Sequence, residues 1–219
     1  MSCVVMATTP PADISEIVPG FLYLGPRSTA ENVHALRDAG ITHIVNCTKD
    51  GRDGTPNFWD GSGEFRYWRV PLLDLPVGQV LRPELNGALE FICTAKSLPE
   101  PARVFVHCHA GVSRSASIVI AYLMQETFMS YPKIRVCMGG CTKESMTFSD
   151  ALCQVKSIRS KAKPNAAFAR QLRSFQEELG LGKAEVDEDT IKREEQEIAD
   201  CKMCLEMVAE LDGDMFSVQ

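Results

Sequence analysis

No stretch of this chain approaches the roughly 20 uninterrupted apolar residues that a membrane-crossing helix needs. The opening residues, MSCVVMATTPPAD, lack the basic flank and long apolar core of a secretory leader. A basic excess is missing too: the net charge is -6, whereas a nucleic-acid partner calls for a cationic surface that displaces counterions from the phosphate backbone. Nine cysteines are present, but without the even, close spacing of a secreted disulfide scaffold. These absences lead to an expectation of a cytoplasmic or nuclear protein with no membrane and no nucleic-acid partner, its thiols reduced.

What remains is ordinary globular material. The 219 residues are 45% apolar and 24% charged, enough for one sizeable core with an appendage. Charge is unevenly placed: residues 183 to 219 carry 12 acidic and 4 basic side chains, a net of -8, which leaves the first 182 residues at +2. The near-neutral body leaves room for a local basic pocket, and the acidic tail does not.

FLYL at 21 to 24 and ITHIVN at 41 to 46 are short apolar runs rich in aromatic and β-branched residues, and predict buried strands. Between them Ser28 and Glu31 have the spacing of a capping box, Val33 and Leu36 supply a buried face, and Gly40 marks a helix end. The Gly- and Pro-rich stretch 47 to 64 predicts a surface loop, and FRYWRV at 65 to 70 a strand. Pro83 opens a helix whose Leu85, Ala88, Leu89, Ile92 and Cys93 share one face. RVFVH at 103 to 107 predicts a fully buried strand, and Ser115 to Phe128, apolar on nearly all sides, a helix enclosed by its neighbours. Two more helices are expected at about 149 to 160 and 164 to 179, the second with Phe168, Leu172, Phe175 and Leu179 in one stripe. Alternation of strands and helices followed by helices predicts an α/β layered domain with helices on both faces of a sheet.

The most informative segment is His107-Cys108-His109-Ala110-Gly111-Val112-Ser113-Arg114-Ser115, between that strand and that helix. Cys108 alone would read as a core cysteine, and Arg114 alone as a surface arginine. A strand-to-helix turn, however, aims backbone N–H groups and the positive end of a helix dipole into one concavity. A cysteine at its mouth is stabilised as thiolate, which moves its pKa from about 8.5 into the roughly 3.5 to 7.5 range. Arg114, six positions on, can fold over the same cradle and grip two oxygens of a tetrahedral anion, and Gly111 permits close backbone approach. A nucleophile, a bidentate clamp and a ring of amide donors favour transfer of a phosphoryl group to sulfur.

HCHAGVSRS resembles the His-Cys-x5-Arg-Ser signature of protein tyrosine phosphatases, and its Ala-Gly-Val-Ser-Arg-Ser form resembles their dual-specificity branch, in particular the small atypical and slingshot-like members. The similarity runs from about Glu16 to Gly180: FLYLGPRSTAENVHALRDAGITHIVNCT is similar to the family's opening strand-helix-strand, AYLM to the start of its helix after the loop, and VKSIRSKAKPNAAFARQL to its closing helices. The resemblance implies a mostly parallel central sheet flanked by helices, a phosphocysteine intermediate on Cys108, no metal and no cofactor. Phosphate is then bound by His109, Ala110, Gly111, Val112, Ser113 and Arg114. Asp74, in RVPLLDLP, matches the family's mobile general acid, which protonates the leaving oxygen and later activates water; read alone it is a turn aspartate. Ser115 resembles the hydroxyl that hydrogen-bonds the departing thiolate, and read alone it is an N-terminal helix serine. His107 orders the loop in the family, although a satisfied core histidine explains it equally well. His34 and His43 are assigned no role.

The matching region, about 150 residues once an apparent insertion is set aside, is short for the deep-pocketed tyrosine-only enzymes, so phosphoserine, phosphothreonine and phosphotyrosine are all expected substrates. The loop lacks the paired lysines of phosphoinositide phosphatases. Phosphorylated proteins, protein kinases and cytoskeletal regulators among them, are the partners this implies. About 15 residues precede Glu16, too few for a carbohydrate-binding or kinase-docking domain, and are expected to be flexible. Pro132 to Phe148 stands out as a 17-residue insertion, either a lineage-specific loop or an error in the gene model. Cys137, Cys141, Cys201 and Cys204 could together make a four-thiolate zinc site, but their spacings are loose and unrelated thiols are the preferred reading. In the tail, residues 181 to 219, Ile191, Ile198 and Leu205 recur every seven positions, the pattern of a short amphipathic or coiled-coil helix that contacts another protein, or of a solvated, frayed one. A phosphopeptide-binding adaptor of the same fold is the alternative to an enzyme; an RNA 5′-triphosphatase fits less well because the body is not basic.

Overall fold

The computed structural model describes residues 13–51, 54–77, 79–130 and 146–215. Five short strands form one sheet: β1 (Ser15–Val18), β2 (Leu22–Gly25), β3 (His43–Asn46), β4 (Arg66–Arg69) and β5 (Val104–His107), in the order β1-β2-β5-β3-β4. The last four run parallel, and β1 joins β2 antiparallel at one edge. The helices are α1 (Arg27–Glu31), α2 (Val33–Asp38), α3 (Arg82–Lys96), α4 (Arg114–Ser130), α5 (Phe148–Ile158), α6 (Ala166–Glu178) and α7 (Glu188–Met215).

Period-2 alternation divides the strand side chains between two cores. Leu22, Leu24, Val45, Val104 and Val106 face the larger one, built with α3 to α6, and Tyr23, Ile44 and Phe105 face a smaller one with Ala30, Leu36 and Phe65. The expected layered α/β domain with a mostly parallel sheet is therefore what forms. Helix α4 is its axis: Ala116 and Ile118 to Ala121 are wholly buried, and it packs on α3, α5, α6 and two strands. Burying α4 on all sides fixes where its N-terminus lies, and the site is at that end.

Several local expectations are corrected. The helix after β2 is broken in two, and its cap is not Ser28. Asn32 interrupts it with an extended backbone, and its Oδ1 accepts the Ala35 N–H at 3.1 Å, while the first segment starts from Pro26 without a side-chain cap. β1 was not anticipated, and Asp13 to Ser15, expected to be flexible, are structured: β1 begins at Ser15, and Asp13 pairs with Arg159 and Lys161. Cys93 is half-buried, at the margin of the α3 face. Most of the 132 to 148 segment, with Cys137 and Cys141, lies outside the described residues; at its end Thr147 forms a capping box with Asp150 and Phe148 is buried in the core, so these two residues belong to α5. No helix among the described residues is long and apolar enough to cross a membrane.

Candidate active site

Strand β5 ends at His107 and α4 begins at Arg114; the six residues between them close into a bowl. From Cys108 to Ser113, each carbonyl oxygen has a partner outside it. The Cys108 carbonyl meets His107 Nδ1 at 3.3 Å, and the His109 carbonyl accepts the Arg27 N–H at 2.9 Å. Ala110 and Gly111 oxygens accept Arg159 Nη2 and Nε at 3.4 and 2.7 Å, that of Val112 accepts the Lys163 N–H at 2.8 Å, and that of Ser113 the Ser117 N–H and hydroxyl, each at 2.9 Å. In a trans peptide the N–H points opposite to the carbonyl. Turning the carbonyls out therefore turns the amide donors in, toward one small volume at the positive end of α4.

Cys108 lies at the bottom, 1% exposed. Its Sγ accepts the Gly111 N–H and the Ser115 hydroxyl, both at 3.2 Å. Burial alone would raise the thiol pKa, but the Ser115 hydroxyl and N–H, the Arg114 charge and the Val112 N–H together hold it below the ordinary value. Cys47, buried where β3 ends, is the opposite case: burial and the neighbouring Cys108 push it well up, so it stays a neutral thiol. His107 is depressed to about 4 by burial and, further, by Arg69 and Arg114, against a hydrogen bond to the Cys108 carbonyl. It is a neutral ring at pH 7, stacked on Phe105.

Gly111 takes φ +66°, and a Cβ there would stand 2.6 Å from both Arg159 Nη2 and the Gly25 carbonyl carbon, so only glycine fits. Arg159, 3% exposed, ties this side of the bowl to the chain's beginning through Asp13 Oδ1 at 2.8 Å and Ser15 Oγ at 3.1 Å. The Arg159 hydrogen bond in turn holds the Asp13 carboxyl below its usual range.

Asp74 approaches from the connection between β4 and α3. Its Oδ1 accepts the Ser113 hydroxyl at 2.6 Å and Asn165 Nδ2 at 3.1 Å, and its Oδ2 lies 3.5 Å from Arg114 Nε. That Nε is buried and donates no hydrogen bond among the described residues. A buried guanidinium N–H that is ion-paired yet makes no hydrogen bond there is suited to donating to an anion's oxygen.

The residues singled out from the sequence are thus brought together: Ser115 bonds Cys108 Sγ, and Asp74 meets Arg114 and Ser113 of the same loop. His109 and Ala110 are exposed at its rim and contribute backbone, and the Ser113 side chain turns to Asp74 and the Asn165 N–H. Arg159, Asn165 and Asp13 were not foreseen. Arg159 sits in a basic run that reads as surface charge, and only its place just beyond the apolar face of α5 hints at burial. No group of metal-ligating side chains is found among the described residues.

Comparison with known proteins identifies the family. The family model for the dual specificity phosphatase catalytic domain matches residues 22–138. Human dual specificity protein phosphatase 6 is 34% identical over 176 residues, 80% of this chain and 40% of that protein. The fruit fly Drosophila melanogaster's dual specificity protein phosphatase Mpk3 is 32% identical over 76% of this chain and 34% of that protein. The chain thus spans two fifths or less of the length of these two relatives. Among solved structures, human DUSP28 superposes with a TM-score of 0.61 at 26% identity, covering 80% of this chain and 99% of that one. Human tyrosine phosphatase-like serine/threonine/tyrosine-interacting protein gives 0.57 at 31% identity, covering 77% and 98%. With the matched segment running through the sheet, the bowl and α4, the chain belongs to the family of dual specificity phosphatase catalytic domains.

Proposed function

We propose that the chain hydrolyses phosphate monoesters on proteins, accepting phosphotyrosine as well as phosphoserine and phosphothreonine. The observation that carries this is the thiol at the base of the bowl, its pKa lowered, beneath inward amide donors and beside Arg114. The Cys108 thiolate attacks phosphorus in line with the ester oxygen, so an S–P bond forms as the P–O bond breaks. Charge on the equatorial oxygens is met by the loop N–H groups and the Arg114 fork. Asp74 gives its proton to the departing oxygen, which matters most for serine and threonine alkoxides. In the second step the Asp74 carboxylate takes a proton from water, water attacks phosphorus, and sulfur leaves as a thiolate stabilised by the Ser115 hydroxyl. The product is inorganic phosphate, and the steps need no metal or cofactor.

Cys108→Ser is expected to abolish turnover of p-nitrophenyl phosphate while phosphopeptide binding, measured by calorimetry, persists. Asp74→Asn is expected to slow an alkyl phosphate by about a hundredfold or more. Full activity in the serine variant rejects the proposal.

A further inference from the structure

Asp74 lies on a partly exposed connection, and what holds that connection is α6. Asn165 caps α6 by accepting the Phe168 N–H at 2.9 Å, and the same amide donates to Asp74 Oδ1 at 3.1 Å and to the Leu75 carbonyl at 3.3 Å. Gln171 accepts the Leu81 N–H at 2.6 Å and donates to the Gln79 carbonyl at 2.9 Å. Gln79 in turn accepts the Leu73 N–H at 3.1 Å. The acid-bearing connection is therefore strapped to α6 at two points, Asp74-Leu75 and Gln79-Leu81.

The acidic helix α7 is fastened to the same helix. Glu194, largely buried, accepts from Arg173 Nη2 and stands 3.5 Å from Arg170 Nε. Glu197 Oε1 accepts the Ala166 N–H at 3.1 Å, one residue past Asn165. Ala166 is the first residue of α6, so its N–H has no partner within its own helix. A carboxylate there also meets the positive end of the helix dipole. The start of α7 is itself fixed, with Asp187 accepting the Thr190 N–H and hydroxyl, each at 2.8 Å.

We infer that α7 is a positioning element for Asp74, acting through Ala166 and Asn165 at the head of α6. Without Glu197 the first turn of α6 is missing one of its donors' partners. Asn165 then loses the fixed backbone that lets one amide cap the helix and orient the acid together. A displacement of about 1 Å in a catalytic group can cost up to a hundredfold in rate, so a partial loosening should cost less. The inference rests on the reading of Asp74 as general acid, and that dependence supplies its readout. A phenol bearing strongly electron-withdrawing groups departs without a proton, whereas an alkoxide or an unsubstituted phenoxide needs one.

The test compares the 219-residue wild-type chain, Glu197→Ala and Glu194→Ala/Glu197→Ala on two phosphate esters, one of each kind, with hydrogen exchange at the amides of residues 166 to 168 measured in parallel. We expect turnover of the poor leaving group to fall about tenfold in the double variant with KM unchanged, turnover of the good leaving group to stay within about twofold, and exchange to accelerate. Glu197→Gln, whose amide oxygen still accepts, should recover most of the loss. Equal losses on both substrates, or accelerated exchange with no loss on either, overturn the inference. If Asp74→Asn loses nothing on the poor leaving group, the acid assignment falls and this inference with it. If Asp74→Asn shows that loss and the α7 variants do not, this inference alone falls.

Discussion

From Cys108 to Ser113 each carbonyl is bonded away from the bowl, with helix α4 buried behind it, whereas the connection from Pro71 to Leu81 is partly exposed and hangs on the side chains of Ser113, Asn165 and Gln171. The first region has a bond on every carbonyl, three from backbone N–H groups and three from the buried side chains of His107 and Arg159. The second is held at a few separate points, by Ser113 and Asn165 near Asp74 and by Gln171 near Leu81. A nucleophile needs a preorganised field that costs nothing to assemble at the moment of reaction, while an acid that becomes a base in the following step benefits from a carboxylate that solvent can reach. On the proposed mechanism, the densely bonded region is the one where charge develops and the sparsely held one is where a proton moves.

If the bowl is as tightly held as this, Gly111→Ala should be the most damaging small change. Its Cβ would meet the Gly25 carbonyl at 2.6 Å, at a φ that alanine avoids. Turnover is expected to fall about a thousandfold, the scale of losing an oxyanion donor, with circular dichroism near that of wild type; near-normal kinetics would mean the bowl is pliable and would erase the contrast.

His107, directly beneath the bowl, gives the next largest effect, read in stability. Its folded pKa of about 4 lies below the unfolded value of about 6.5. The unfolded chain therefore binds the extra proton first as pH falls. The stability contributed by the neutral ring is complete above about pH 6.5 and is lost progressively toward pH 4, on the order of 3 kcal/mol in all. Urea melts of wild type across that window should show the slope, and His107→Phe should flatten it. An unchanged slope would place the acid sensitivity elsewhere.

Arg159→Met sharpens the comparison from the far side. It leaves the Gly111 and Ala110 carbonyls without donors, and a loss of about 2 kcal/mol is expected, together with an upward drift of the Cys108 pKa as the bowl relaxes. Asn165→Ala, in the second region, should cost about 1 kcal/mol of cap energy and lower turnover mainly for poor leaving groups. Equal effects of these two variants on stability and on leaving-group dependence would show that the regions are not held differently after all.

The same contrast sets what could be read from the sequence. The bowl is contiguous, and a strand, a turn with Gly111 and a buried helix state its geometry within nine residues; Cys108 and Arg114 were legible for that reason, while Ser115 was singled out only through family resemblance. Asp74 was readable as a candidate acid only through family resemblance, because its partners are remote: Asn165 reaches it across 91 positions. Arg159 and Asp13 meet across 146, and a basic run and an N-terminal aspartate carry no local sign of each other. β1 escaped notice because four residues at a sheet edge have too few alternations to form a pattern. The break at Asn32 was hidden by a competing signal, since Ser28 and Glu31 have the spacing of a cap that the chain does not use.

The central claim is a thiolate at the bottom of the bowl, and it is tested most directly by the pH dependence of Cys108 alkylation, followed at that residue by mass spectrometry in wild type and Ser115→Ala. The account predicts a wild-type midpoint well below the roughly 8.5 of a free thiol, moving upward when the Ser115 hydroxyl is removed. A midpoint at or above the free value, unmoved by Ser115→Ala, would contradict it.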